Sequence, residues 1–149
     1  MSELVIFLPQ ILSAAVSVSV GIVAWRRRKV PGAVPLGWLA FTEAEWSLAL
    51  LGQMLSKDLS AKLFWDNFQY IGAVFTPLAC LGFAIEYNSS RKTKLGFPWK
   101  SLSIISFLIL GFIWTDGLHE LFRIQPRILP GAPVDLLIYE SGPAFGLYS

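Results

Sequence analysis

The sequence has a single cysteine and a single histidine, and these shortages narrow the chemistry that the chain offers. Cys80 has no partner for a disulfide or a thiolate metal site, so we expect it to be a small packing residue. His119 has no second histidine or cysteine at ligand spacing, so no metal site is expected. The sequence also lacks a nucleophile with a neighbouring base and a Walker loop. We therefore predict neither catalysis within this chain nor a bound cofactor.

Charged residues are scarce as well, at 15% of the chain, whereas apolar residues make up 54% of its 149 residues. This composition is too apolar for a soluble domain of that length. The net charge is only +2, and the basic residues form two clusters rather than one face, which argues against a nucleic-acid partner. The composition predicts a membrane protein whose first partner is the lipid bilayer.

Apolar segments along the chain predict an all-α membrane protein with four transmembrane helices. The first segment carries no charge and is long enough to cross about 30 Å of hydrocarbon. A polar turn is predicted at residues 56–62, and the fourth segment is of marginal length. The predicted spans are residues 4–25, 36–55, 64–87 and 99–117.

The chain after the fourth span is predicted to be an irregular outer loop, residues 118–149, because it is rich in proline and glycine and has no long apolar run. Within it, Leu136 to Tyr139 is expected to form one short strand or an interfacial patch. The segment from Phe145 to Tyr148 resembles the approach to a further apolar helix.

The distribution of lysine and arginine predicts the orientation. The first and third loops hold four of these residues each, eight of the twelve in the chain, and both loops lie on one side if the spans alternate. Loops rich in lysine and arginine stay in the cytoplasm. The N-terminus and the long tail are therefore expected outside the cell.

Two carboxylates, Glu43 and Glu45, interrupt the second span. A carboxylate near the bilayer centre costs about 2.5–3.5 kcal/mol on insertion scales, and such a residue is functional by default. Two positions apart on a helix, the side chains diverge by about 200°, so at most one points into a pocket. We favour Glu45, because Trp46 and Gln53 give it a polar and aromatic surrounding. The alternative is that both carboxylates are protonated or bonded to serines and only hold helices together.

Further candidate positions lie on the first and third spans. Asp66, Asn67, Gln69 and Tyr70 cluster at the outer end of the third span, where they line a cavity for a small ligand or form an ordinary wet helix end. Pro77 predicts a kink in the same helix. Small residues recur every fourth position on one face of the first span, which predicts close helix packing there. These small residues are Ser13, Ser17 and Gly21.

Several short motifs, taken in order, resemble the N-terminal seven-transmembrane region of bacterial histidine kinases. Each motif is short, but their order and spacing extend over most of the chain. The motifs are Trp25-Arg26-Arg27-Arg28-Lys29-Val30-Pro31-Gly32, Ala44-Glu45-Trp46, Lys62-Leu63-Phe64-Trp65, Gln69-Tyr70-Ile71-Gly72, Pro77, Gly117-Leu118-His119-Glu120-Leu121-Phe122 and Gly142-Pro143-Ala144-Phe145.

This resemblance implies a sensory input module that precedes cytoplasmic PAS, histidine kinase or diguanylate cyclase domains. It implies that the four spans are the first part of a seven-helix bundle, with the fifth to seventh helices and any output domain absent here, and that the parent protein forms a homodimer. The positions that match the family pattern are Glu45, Trp46, Trp65, Gln69, Tyr70, Pro77 and His119. The small ligand remains unknown.

Two other interpretations stay open at this point. One is a fragment of a small transporter in which Glu45 handles a proton or a cation. The other is a truncated product without activity of its own. The isolated chain is expected to self-associate or be degraded when expressed, because its polar faces need more helices than it contains.

Overall fold

Four long helices and a β-hairpin make up the fold in the computed structural model, which describes residues 4–88, 99–131 and 134–144. The helices α1, α2, α3 and α4 are followed by a single turn of helix, α5, and by strands β1 and β2. Consecutive long helices run antiparallel, with α2 packed between α1 and α3, and α4 packed on α3. The elements are α1 (Leu4–Arg26), α2 (Ala33–Leu55), α3 (Leu59–Asn88), α4 (Trp99–Trp114), α5 (Asp116–His119), β1 (Arg123–Leu129) and β2 (Leu136–Ser141).

Two helices of the described residues have the length and apolarity needed to cross a membrane, Val5–Arg26 and Leu59–Tyr87. The segment Ser101–Trp114 is apolar but shorter. Helix α2 is as long as α1, but Glu43 and Glu45 lower its hydropathy. The four predicted spans therefore coincide with four long helices, of which two have the full character of a membrane span.

The residues buried between helices are small, whereas the large apolar ones face outward. Six alanines are buried in α1 and α2, and side chains such as Leu12, Val16 and Leu48 are at least half exposed. A soluble protein would bury the large apolar side chains, while lipid provides an apolar surrounding for them and leaves close helix contact to small residues. The distribution is that of a membrane protein.

The third helix begins earlier than the sequence indicated, so the predicted polar turn at residues 56–62 is wrong over its second half. Asp58 Oδ2 accepts hydrogen bonds from the Ala61 amide at 2.8 Å and from Ser60 Oγ at 2.7 Å. This is the arrangement of a helix N-cap, and it starts α3 at Leu59.

The predicted irregular tail instead forms an antiparallel β-hairpin, which corrects both the all-α fold and the irregular outer loop at residues 118–149. The expected short strand at residues 136–139 is present within β2. Strand β1 contains a bulge between Ile124 and Arg127, where Gln125 has φ +50°. The predictions for Phe145–Tyr148 and for the basic third loop fall outside the described residues.

The turn between α1 and α2 is held by the end of α3. Gly32 has φ +82°, a conformation that favours glycine, and its amide donates to Glu86 Oε2 at 3.0 Å. A Cβ atom at Gly32 would lie 3.2 Å from the ring of Phe83. The cluster of arginines at residues 26–28 thus lies at the end of the bundle opposite the hairpin.

The small-residue face of α1 lies against α2. Ser13 Oγ accepts a hydrogen bond from Ser47 Oγ at 3.0 Å, and Gly21 lies against the ring of Phe41. Ser17 is half-buried. Pro77 lies within α3, where the neighbouring Thr76 hydroxyl donates to Thr42 Oγ1 of α2 at 3.1 Å. The kink at Pro77 stays a prediction.

Candidate functional site

A buried ion cluster joins the hairpin to the helices, and Arg123 is its centre. The side chain of Arg123 is 3% exposed, and its Nη1 donates to Asp66 Oδ2 at 2.6 Å, while its Nε donates to Asp116 Oδ2 at 3.2 Å. The second amino group, Nη2, donates to Asn67 Oδ1 and to the carbonyl of Ile113. One guanidinium therefore connects α3, the end of α4, α5 and β1.

The two carboxylates of this cluster also have partners besides Arg123. Asp116 accepts from the amides of Phe122 and Arg123 at 2.8 and 3.0 Å, which fixes the path of the chain from α5 into β1. Asp66 Oδ1 accepts from Gln53 Nε2 at 3.0 Å. Buried charges are stable only when they are paired and hydrogen-bonded, and this cluster meets that condition.

Lys62 forms a second link between the helices and the hairpin. Its side chain is buried, and its Nζ donates to the carbonyl of Gln53 at 2.9 Å and to that of Asp135 at 2.8 Å. A cation is favourable at the Gln53 carbonyl, because it lies in the last turn of α2 where the helix dipole is negative. The loop between the strands is thereby held against the α2–α3 connection.

Two tyrosines extend the cluster. The buried phenol of Tyr139 interacts with Asp66 and with Tyr70. Burial, with the nearby Asp66 carboxylate adding to it, raises the pKa of Tyr139 above its ordinary value, so the phenol is neutral at physiological pH. The ring of Tyr70 packs edge-on against Phe122 at 5.2 Å. Asp66, Asn67 and Tyr70, predicted as a cluster, are thus brought together, and their partners are in the hairpin.

Glu45 lies elsewhere, beside a cavity of about 660 Å³ between α2, α3 and α4. The cavity wall is mainly apolar and aromatic, with Trp38 and Phe41 from α2, Phe75 from α3 and Phe107 from α4. Both carboxyl oxygens of Glu45 are buried without a hydrogen-bond partner among the described residues. The arrangement offers a polar group to whatever occupies an otherwise apolar cavity.

The carboxyl group of Glu45 rests in a niche on α3 that Gly72 provides. A Cβ atom at Gly72 would collide with Glu45 Oε2 and would lie 2.9 Å from the carbonyl oxygen of Thr42. Since no side chain fits there, the carboxyl occupies the space and the two helices approach closely. Glu45 is therefore part of the α2–α3 interface as well as of the cavity wall.

Glu43 lines a different cavity of about 390 Å³, between α1 and α2, together with Gln10, Ser13 and Trp46. The Gln10 Oε1 atom is buried and has no hydrogen-bond partner among the described residues. The two glutamates thus lie in separate cavities. Gln53, expected near Glu45, pairs with Asp66 instead.

The remaining predicted positions are not joined to either cavity. Gln69 Nε2 is buried and lacks a hydrogen-bond partner within the described part of the chain. His119 stacks on Phe112 with ring centres 4.4 Å apart, and its Nδ1 lies 3.5 Å from Asp116 Oδ1. His119 therefore supports the end of α4 locally.

Sequence reasoning missed Arg123, Asp116 and Lys62, which form the two links between the helices and the hairpin. The signal available was weak: Arg123 and Lys62 are basic residues in segments predicted to lie outside, where few are expected, and Asp116 directly follows an apolar helix. A charge in such a position needs a partner, but the sequence does not say which one.

Comparison with known proteins gives one family. A family model described as the N-terminal 7TM region of histidine kinase matches residues 9–149. No curated protein matches the sequence, and no solved structure matches it.

Proposed function

Since this chain belongs to the family of N-terminal 7TM regions of histidine kinases, we propose that it is the sensory input module of a bacterial signal-transduction protein. It detects a stimulus and passes helix motion to a cytoplasmic kinase or cyclase domain. The module itself does no chemistry, and it works as a homodimer within the parent protein.

The observation that carries this proposal is the double role of Glu45. Its side chain lines the large cavity, and its carboxyl group fills the Gly72 niche at the contact between α2 and α3. An occupant that attracts the carboxyl changes a contact between two helices. Packed interfaces have a few discrete arrangements, so such a change moves one helix against its neighbour.

The test is a chimera in which this chain replaces the corresponding region of a histidine kinase of the same family. Glu45→Gln is expected to change autophosphorylation in membrane vesicles several-fold, while the chain still inserts and folds. Glu140→Gln, an exposed carboxylate on β2, is the control. Unchanged autophosphorylation together with lowered thermal stability would assign Glu45 a purely structural role.

The orientation in the membrane is part of the proposal, with the hairpin outside and the arginine cluster of residues 26–28 in the cytoplasm. In a Cys80→Ala background, cysteines at the exposed positions Ser60 and Ser141 are expected to react with an impermeant thiol reagent applied to intact cells. A cysteine at Lys29 is expected to react only after lysis. Labelling of Lys29→Cys in intact cells contradicts this orientation.

A transporter is the second candidate, and the Glu45 carboxyl, which has no hydrogen-bond partner among the described residues, favours it. A carboxyl without a fixed partner takes up and releases a proton or a cation during transport. Proteoliposomes separate the two functions: a transporter gives a cation or proton flux that Glu45→Gln abolishes, whereas the sensor gives no flux.

A further inference from the structure

The cavity beside Glu45 is elongated. Its lining on α3 extends from Ile71 to Glu86, which at helical rise are about 22 Å apart along the axis. The volume of about 660 Å³ lies within the usual range of small-molecule sites, about 300–1,000 Å³. The shape suits a long, slender molecule rather than a compact one.

The ionisable groups of the described cavity wall are acidic. The ionisable side chains among its described lining residues are Glu45 and Glu86, without a lysine, arginine or histidine. Glu86 is exposed at one end and already accepts from the Gly32 amide. Glu45 lies deeper, against Gly72 in the middle of the helices. An occupant that complements this wall is apolar along its length and carries positive charge.

The carboxyl of Glu45 lacks the partner that such an occupant would bring. Both of its oxygens are buried and make no hydrogen bond with the described residues. Glu45 is also one of the residues that line the cavity. To form a charge-assisted hydrogen bond with an ammonium group there, the carboxyl must turn from the niche into the cavity by a change between staggered rotamers.

We propose that this cavity binds an elongated lipophilic ammonium ion, with its nitrogen on Glu45 and its chain along the aromatic side chains. The inference rests on the proposed sensory function and names the class of its stimulus. Binding draws the carboxyl out of the Gly72 niche and so loosens the contact between α2 and α3.

The test uses the chain in phosphatidylcholine nanodiscs and a dodecylammonium probe with a diazirine at the end of its alkyl chain. Photolabelling is expected at the far end of the cavity, near Pro35 and Gly82, which lie about 15 Å from Glu45 and Gly72 along the two helices. Unlabelled dodecylammonium should displace it while dodecanol should not. Glu45→Gln is expected to weaken binding at least about tenfold, the effect of losing a hydrogen bond to a charged group. Glu43→Gln, in the other cavity, should bind as the unchanged chain does.

Equal displacement by dodecanol, or full labelling of Glu45→Gln, overturns the proposal. Ala79→Phe keeps Glu45 but fills the cavity, so retained labelling of that variant also overturns it. Size-exclusion chromatography shows whether each variant is folded. Because labelling needs no kinase, failure of the chimera to signal and failure of the probe to bind are separate results.

The ammonium group has two sources, a free amine or a lipid headgroup. Replacing half of the phosphatidylcholine by phosphatidylethanolamine distinguishes them. Loss of probe labelling in those nanodiscs assigns the site to the lipid headgroup, and unchanged labelling assigns it to a free amine. Both results support the cation chemistry of the cavity.

Discussion

The hairpin end and the middle of the bundle treat buried charge in opposite ways. At the hairpin end, Asp66, Asp116 and Arg123 pair with one another and accept or donate further hydrogen bonds. In the middle, the Glu45 carboxyl is buried without a partner among the described residues. The charges of the first region hold segments of the chain together, whereas the second region leaves a carboxyl available for binding. In this fold, a buried charge that is paired holds segments of the chain together, and one that is not paired is a candidate binding group.

Removing the central cation should have the largest effect on this contrast. Arg123→Leu leaves two buried carboxylates without their counter-ion, and loss of one partner of a buried pair costs about 3–5 kcal/mol. We expect a much lower unfolding temperature in detergent and rapid hydrogen exchange throughout the hairpin.

Arg127→Leu is the matched control, because Arg127 lies in the same strand but is exposed. A surface change of this kind alters stability by less than about 0.5 kcal/mol. If both variants unfold at the same temperature, the cluster around Arg123 is not what holds the hairpin to the helices.

Filling the Glu45 niche should have the next largest effect. Gly72→Ala places a methyl group where Glu45 Oε2 lies, and overpacking of a close contact costs about 1–3 kcal/mol. The variant is expected to melt earlier and to shift autophosphorylation of the chimera in the same direction as Glu45→Gln.

Gly111→Ala is the control for that experiment, since a Cβ atom at Gly111 in α4 meets nothing within 4 Å. Alanine in a helix interior is more favourable than glycine by about 0.5–1 kcal/mol, so this variant should melt at the same temperature or higher. A similar loss of thermal stability in both variants would show that the niche has no part in the mechanism.

Tyr139→Phe tests the edge of the ion cluster and should have a smaller effect. The change removes a hydroxyl that interacts with Asp66 and Tyr70, and a single polar interaction of this kind contributes about 0.5–1.5 kcal/mol. Because burial raises the pKa of Tyr139 above 10.0, its contribution is present below pH 10 and is lost as the pH rises through the folded pKa. The stability of Tyr139→Phe should therefore fall less at alkaline pH than that of the unchanged chain.

Asp58 should give the smallest effect, since it is fully exposed. Hydrogen bonds from Ser60 and Ala61 lower its pKa below 3.8, so its stabilising effect on the start of α3 is present above that pH and is lost as the pH falls through the folded pKa. Asp58→Ala is expected to fray the first turn of α3 in hydrogen exchange at neutral pH and to resemble the unchanged chain in strong acid. Equal fraying at both pH values contradicts a role for its charge.

The helices were predictable from the sequence because apolar runs are local signals. The hairpin was not predictable from the sequence, for reasons that lie in β1 itself. Pro126 and two arginines interrupt the alternation of polar and apolar residues by which a strand is detected, and the bulge changes its period. Only β2, with four successive apolar and aromatic residues, carried a strand signal.

The candidate site was predictable in part for the same reason. The separation of Glu43 from Glu45 follows from helical spacing, and the cluster of Asp66, Asn67 and Tyr70 follows from adjacency on one helix. The partner of Asp66 could not be predicted in this way, because Arg123 lies 57 positions away and only the fold of the hairpin brings the two residues together. Gly72 was noted as part of a motif, but its niche for Glu45 depends on the pairing of two helices.

The bulge in β1 has a consequence for charge. Arg123 and Arg127 are an even number of positions apart, so in a regular strand their side chains would share a face. One extra residue around Gln125 reverses the alternation, and Arg123 is buried while Arg127 is exposed. A strand that kept all of these residues but had no bulge would turn the second guanidinium to the face of Asp66 and Asp116. The bulge thus places one arginine side chain beside the two buried carboxylates and leaves the other exposed.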